Sequence, residues 1–332
     1  MTAVAVLGAG SWGTTLADLL ARKGQSVQLW AYEPEVVEAV NARHENPVFL
    51  PGCPLAPSLT ATGDAIAATR GADVIVAVAP SHVLRRVATQ ASTGVGRDAI
   101  VVSATKGIEP GTLALMSQVL EAALPGRAVA ALSGPSFALE VYQQQPTAVV
   151  AAARDAATAQ AVQAVFATPR FRVYSHDDVI GVELGGALKN VIAIAAGILE
   201  GLGLGNNPRA ALITRGLAEM TRLGVAMGAD PLTFAGLAGM GDLILTTTGA
   251  LSRNRALGMA LAAGQTLEQH TAAHRTVAEG ANTAQAALQL AKTRGVELPI
   301  CGEVASILFE GKPARQALDD LMERTLKAEQ WR

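Results

Sequence analysis

Thr2-Ala3-Val4-Ala5-Val6-Leu7-Gly8-Ala9-Gly10-Ser11-Trp12-Gly13-Thr14-Thr15-Leu16-Ala17-Asp18-Leu19-Leu20-Ala21 decides the fold. Residues 2–7 form a short apolar run with β-branched members, the pattern of a buried strand. Residues 14–21 carry a helical pattern. Between them Gly8, Gly10 and Gly13 complete a G-x-G-x-x-G turn. Glycines there permit a tight turn and close backbone approach to a pyrophosphate, and the following helix start offers N–H donors and partial positive charge. In a chain with 33 glycines the motif alone is weak. The strand before it and the helix after it make an ordinary glycine turn the poorer reading.

Downstream, Gly24 ends the first helix and residues 26–30 form a second strand. A dedicated NAD site places an acid at the end of that strand. Here the sequence is Ala31-Tyr32-Glu33, with the acid slightly late and no adjacent arginine for a 2′-phosphate, so NAD and NADP both stay open. A helix is expected over 34–42, and 43–57 is a Pro-rich loop that serves as a flap or a docking surface. Residues 72–79 form a third strand, apolar on both faces as parallel strands are, and lead into Pro80-Ser81-His82. His82 reads equally as a cofactor contact or a solvated loop residue. Residues 99–103 form a fourth strand, with Ala104-Thr105-Lys106-Gly107 at its carboxyl end, where open α/β sheets bind ligands. Lys106 is a candidate for a substrate phosphate or carbonyl. The strand over 128–132 exits through Ser133-Gly134-Pro135-Ser136-Phe137-Ala138. Gly134 and Ser136 there offer donors to an oxyanion, or the loop is a plain turn. Two more strands, 146–152 and 171–174, flank a helix over 155–166. Strands alternating with helices predict a doubly wound, Rossmann-type sheet.

Past Asp178 the strand signals stop. The boundary is set at residues 1–179 for a dinucleotide-binding domain and 180–332 for an all-helical substrate domain. The second begins with an apolar helix over 180–199, free of proline, with Lys189 in its middle. Gly185, Gly186, Ile192 and Ala193 share the face of Lys189, and three of these four are small, so a helix or ligand can approach closely. Desolvation favours the neutral amine and tunes such a lysine toward proton transfer. Snorkelling to water is the competing reading. Further helices are expected over 208–227, 253–263, 277–294, 303–309 and 314–322. The loops between carry polar groups. Gly239-Met240-Gly241-Asp242-Leu243 sets a carboxylate beside glycines. Ser252-Arg253-Asn254-Arg255 is a phosphate-binding set at a helix start, or a simple cap with surface arginines. Thr276-Val277-Ala278-Glu279-Gly280 puts an acid at another helix start. His270 and His274 are one turn apart without an H-E-x-x-H pattern or third ligand, so they read as a solvated pair and no metal is expected.

The formal charge of −2 argues against a broad polyanion or nucleic-acid surface. The longest wholly apolar runs fall short of a membrane span. The chain opens directly into a strand, without a basic n-region, and has only Cys53 and Cys301. A reducing cytoplasm is the expectation.

From about residue 3 to about residue 324 the ordered motifs resemble the bacterial type of NAD(P)-dependent glycerol-3-phosphate dehydrogenase. They are residues 8–13, 104–107, 133–138, 184–190, 241–243, 252–254 and 277–280. The resemblance implies cofactor contacts from Ser11, Trp12, Tyr32, Lys106, Ala138, Arg253, Val277 and Glu279. It implies contacts to dihydroxyacetone phosphate or sn-glycerol 3-phosphate from Lys106, Gly134, Ser136, Lys189, Asp242, Ser252, Arg253 and Asn254. Lys189 would be the proton acceptor, its pKa depressed further by Lys106 and Arg253. NAD or NADP is the implied cofactor, phospholipid synthesis the implied role and a homodimer an expected assembly. Two other readings stand beside it: a sister dehydrogenase acting on a β-hydroxy acid or another ketone, and a nucleotide-binding regulatory or scaffold protein that has lost catalysis.

Overall fold

A computed structural model describes residues 1–273, 278–326 and 328–329. Its sheet comprises β1 (Ala3–Leu7), β2 (Ser26–Trp30), β3 (Thr60–Thr62), β4 (Val74–Ala77), β5 (Ile100–Ser103), β6 (Val129–Ser133), β7 (Thr147–Ala153) and β8 (Phe171–His176). The strand order is β3-β2-β1-β4-β5-β6-β7-β8. β1 therefore sits between β2 and β4, and the chain reverses its march across the sheet there. That switch opens a crevice at the carboxyl ends of β1 and β4. In β1, Val4 and Val6 join one core while Ala5 and Leu7 join another on the opposite face. Period-two alternation with both faces apolar means that helices cover both sides.

Two features depart from the sequence reading. β3 went unseen, since its three residues carry little strand signal of their own; they pair with β2. The direction of the strands at one edge was also not specified by the sequence reading. β7 runs antiparallel to β6, and β8 is parallel to β7. The 43–57 loop is docked rather than free. Asn46, fully buried, donates to the Ala9 carbonyl at 2.9 Å and to Thr14 Oγ1 at 2.8 Å. Ser11 Oγ donates to the Phe49 carbonyl at 2.6 Å. The loop thus braces the glycine turn from outside.

After β8 every described element is helical. The helix Val179–Gly201 begins at Asp178, whose Oδ1 accepts the Gly181 N–H at 2.8 Å. The other oxygen of Asp178 accepts from Asp230 N at 3.0 Å and Thr233 Oγ1 at 2.7 Å, which pins the helix start to the next layer. Residues 181–199 are all buried. By length and composition the helix could cross a membrane, yet 89% of its most apolar window is buried inside the protein, so it is the core of this half. It crosses the helix Arg253–Ala262 at very short range. A Cβ on Gly197 would fall 2.0 Å from the Arg255 carbonyl, and one on Gly258 2.0 Å from that of Ile194. The remaining long helices are Asn206–Ala226, Glu279–Arg294, Pro299–Glu310 and Ala314–Met322. The loop reading of residues 239–243 is corrected. Leu237–Gly241 is a π-helical turn, closed by the Gly241 N–H on the Gly236 carbonyl at 3.1 Å, and it runs straight into the helix Asp242–Thr248. Such turns recur at functional positions. His270 lies in the helix Leu267–Ala273; His274 falls outside the described residues.

Candidate active site

The seats around Lys189 are built by glycine. A Cβ on Gly185 would approach the Ala238 carbonyl to 2.5 Å, and one on Gly186 would approach Ser133 Oγ to 2.6 Å and Lys106 Cγ to 3.4 Å. The small residues on this helix face therefore admit the π-turn on one side and the exits of β5 and β6 on the other. The consequence is a three-part ion cluster. Lys189 Nζ donates to Asp242 Oδ1 at 2.6 Å, and Lys106 Nζ donates to Asp242 Oδ2 at 2.6 Å. Lys106 also donates to the Gly134 carbonyl at 3.0 Å. Asp242 is 0% exposed and Lys189 7%, so the snorkelling reading fails. Burial lowers the Lys189 pKa to about 8; Asp242 opposes the shift, while Lys106 and then Arg253 reinforce it. A buried amine near neutrality can both give and take a proton. The carboxylate between the two ammonium groups fixes where its nitrogen points.

Next to this cluster lies the start of the helix Arg253–Ala262. Ser252 Oγ accepts the Arg255 N–H at 3.3 Å and lies 3.2 Å from Thr246 Oγ1. Asn254 Nδ2 donates to Asn190 Oδ1 at 2.9 Å, while Asn254 Oδ1 accepts the Gly280 N–H at 2.9 Å. Arg253 keeps contact with solvent at the cleft. Partial desolvation there holds its guanidinium below the usual value, against the charge of Glu279. Glu279 opens the helix Glu279–Arg294. Desolvation raises its pKa, and hydrogen bonds from Ser81 and the charges of His82 and Arg253 pull it back. Across the cleft, Gly134 holds φ +136°, and its carbonyl also accepts from Ser136 Oγ at 3.0 Å.

The glycine turn fits a dinucleotide. Gly8 holds φ +125°, and a Cβ there would sit 2.9 Å from Ala79 N at the end of β4. A Cβ on Gly13 would lie 1.9 Å from the Gly8 carbonyl, so the helix can begin this close only with glycine. Gly10 faces open space and caps Ser11–Arg22 without any side-chain hydrogen bond, leaving the first amides of that helix to a ligand. Trp12 Nε1 is buried with no hydrogen-bond partner among the described residues. Ala138 opens the short helix Ala138–Tyr142, and its carbonyl accepts from Thr15 Oγ1 at 3.3 Å beside the turn. Tyr32 is 76% exposed just past β2, apart from the ion cluster. Val277 lies outside the described residues.

Comparison with known proteins places this geometry in a family. The N-terminal part described as "NAD-dependent glycerol-3-phosphate dehydrogenase N-terminus" matches residues 3–159, and the corresponding C-terminal part matches 178–319. The chain belongs to the NAD-dependent glycerol-3-phosphate dehydrogenase family. It is 58% identical over 331 residues to a glycerol-3-phosphate dehydrogenase of the NAD(P)+ type from Geobacter sulfurreducens, covering 99% of both chains. Among solved structures it resembles glycerol-3-phosphate dehydrogenase from Coxiella burnetii, with TM-score 0.93 at 41% identity, covering 97% of this chain and 99% of that one. The enzyme from Saccharomyces cerevisiae aligns with TM-score 0.82 at 31% identity, over 97% of this chain and 99% of that one.

Within this dehydrogenase fold, two residues escaped the sequence reading. Asn190 follows Lys189 and orients Asn254. Ser81 donates to Glu279 from its amide at 3.2 Å and its hydroxyl at 2.6 Å. Their partners lie 64 and 198 residues away, so no local pattern marks them. The one available signal was Ser81's place at the carboxyl end of a central strand.

Proposed function

We propose that this chain interconverts dihydroxyacetone phosphate and sn-glycerol 3-phosphate with NAD(P)H, using Lys189 as the general acid and base, and so supplies glycerol 3-phosphate for glycerophospholipid synthesis. The observation that carries the reading is the buried Lys189–Asp242–Lys106 cluster facing the crevice of a dinucleotide fold. In this proposal residues 1–179 form the dinucleotide-binding domain and 180–332 the helical substrate and catalytic domain, and each lends residues to both ligands across the cleft. Gly8, Gly10, Ser11, Trp12, Gly13, Tyr32, Ala138, Val277 and Glu279 belong to the cofactor side. Gly134, Ser136, Asp242, Ser252 and Asn254 belong to the substrate side, and Lys106 and Arg253 to both. Nicotinamide, when bound, supplies the hydride to C2 of the ketone or accepts it from the alcohol. Lys189 in its ammonium form gives a proton to the oxygen as charge builds there; in the reverse direction its amine removes that proton. Asp242 holds Lys189 in place, and Lys106 polarises the same region. Arg253 and the helix start at Ser252 suit a phosphate of about −1.5 to −2 charges, which offsets the crowded cations and fixes the reacting carbon.

The direct test follows absorbance at about 340 nm with dihydroxyacetone phosphate, comparing NADH with NADPH. Turnover with either supports the proposal, and turnover only of unphosphorylated hydroxy acids sinks it. Arg253→Ala should raise KM for the phosphorylated substrate above all; an unchanged KM removes it from the phosphate site. Cytoplasmic location and a homodimer complete the proposal. Cys53 and Cys301 are both free and buried, in keeping with a reducing compartment. Leu232, Ile244 and Leu251 give the helical half exposed apolar surface. A monomer in sedimentation at micromolar concentration would rule the dimer out, and recovery away from the soluble cell fraction would rule out the location.

A further inference from the structure

The two halves of the molecule meet through acids of the helical half and donors of the sheet half. Asp242 takes Lys106, Glu183 takes Ser117, and Glu279 takes Ser81. The first belongs to the proton-transfer cluster and the second is sealed in the core. The third stands at the cofactor crevice. Ser81 lies just beyond β4, beside the Val78–Ala79 backbone against which Gly8 packs. It is 1% exposed, and both of its donors go to one carboxylate: the amide to Oε1 at 3.2 Å and the hydroxyl to Oε2 at 2.6 Å. Gly107, next to Lys106, completes the junction. A Cβ there would fall 2.7 Å from Ser81 Cβ and 3.4 Å from Glu279 Oε2, so any side chain would wedge the clasp apart.

We propose that Ser81 is a positioning residue for dinucleotide binding: with the clearance given by Gly107, it clamps Glu279 of the helical half onto the exit of β4 and so sets the cofactor end of the cleft. The inference rests on the site reading above, which puts Glu279 and Arg253 on the cofactor. The carboxylate of Glu279 acts electrostatically on the Arg253 guanidinium and raises its pKa against desolvation. His82 also faces this carboxylate. Without the clasp, Glu279 and Arg253 lose their common reference to the sheet. Lys189 keeps its own, through Asp242 and Lys106. The defect therefore falls on holding the dinucleotide.

The test is a fluorescence titration of the full chain with NADH and with NADPH, in the absence of substrate, for Ser81→Ala, Glu279→Gln, the double variant and Gly107→Ala. A hydrogen bond to a charged group sets the scale, so Ser81→Ala should raise Kd by about tenfold. Gly107→Ala should shift Kd in the same direction. In the double variant the Ser81 change should add less than about twofold to the Glu279→Gln effect, because the partner it acts through is already altered. A thermal midpoint close to wild type shows that each variant is folded. A Kd for Ser81→Ala within about twofold of wild type, or effects that multiply fully in the double variant, would overturn the positioning role. Wild type that binds dinucleotide yet turns over no dihydroxyacetone phosphate would overturn the proposed reaction instead, and the Kd comparison would still decide the clasp.

Discussion

Lys189 and Glu183 sit six positions apart on the same helix, at 7% and 6% exposure. Burial drives both toward neutrality, lowering the lysine to about 8 and raising the glutamate to about 7. By these measures they are equals. Their partners separate them. Lys189 meets a carboxylate that is shared with a second ammonium, beside a cleft where Arg253 also acts on it. Among the described residues, Glu183 accepts from Ser117 alone, by its amide at 2.8 Å and its hydroxyl at 2.5 Å, at the start of the helix Met116–Ala123. Desolvation makes a group titrate near neutral pH; it does not make the group reactive. What distinguishes the lysine is a fixed counter-charge and, in the proposed mechanism, a place beside the substrate.

The comparison is broken most severely by Lys189→Ala. Turnover should fall by at least about 10²–10⁴-fold, the usual scale for a lost general acid, while circular dichroism stays native. Near-normal turnover would end the proposed mechanism. Asp242→Asn tests the counter-charge. Asp242 raises the Lys189 pKa, so its removal should push that pKa below about 8. In wild type, kcat/KM for ketone reduction needs the ammonium and should fall as pH rises through about 8, whereas alcohol oxidation needs the amine and should rise over the same range. In Asp242→Asn the falling limb of reduction should move to lower pH, with lower kcat at neutrality. An unmoved limb would show that another group sets it.

How far the sequence went depends on where each signal is stored. The glycine turn, the central strands and the lysine helix are local patterns, and all appear where their periodicity put them. Lys106, Lys189 and Asp242 were each legible as chemistry on a backbone landmark: a strand exit, a helix middle, a glycine-flanked acid. That Asp242 bridges both lysines was not legible, because it depends on a π-turn whose i-to-i+5 closure leaves no sequence period. β3 pairs only through its neighbour, and the antiparallel turn-back of β7 follows from tertiary contacts. The glycines at 185 and 186 were seen as space without showing what fills it; the structure gives Ala238, Ser133 and Lys106. Ser81 and Asn190 were missed because their meaning lies in partners far along the chain.

Glu183→Gln gives the smallest expected effect, on stability rather than on chemistry. The folded protein holds the Glu183 proton up to about 7, against an ordinary value of 4.5 in the unfolded chain. Across that window the native state binds more protons than the unfolded one, so rising pH favours unfolding, and the loss levels off above it. Glutamine has no such ionisation and can still accept the Ser117 bonds through its carbonyl. Glu219, also raised to about 7 by burial, is present in both proteins and cancels in their difference. The Tm of the variant relative to wild type should therefore climb by a few degrees as pH rises from about 5 to about 8, with turnover altered far less than in the Lys189 and Asp242 variants. A Tm difference independent of pH would mean that Glu183 titrates alike in both states. Burial would then have failed to do to the glutamate what it does to the lysine, and the two positions on the helix would differ in their environment rather than in their partners.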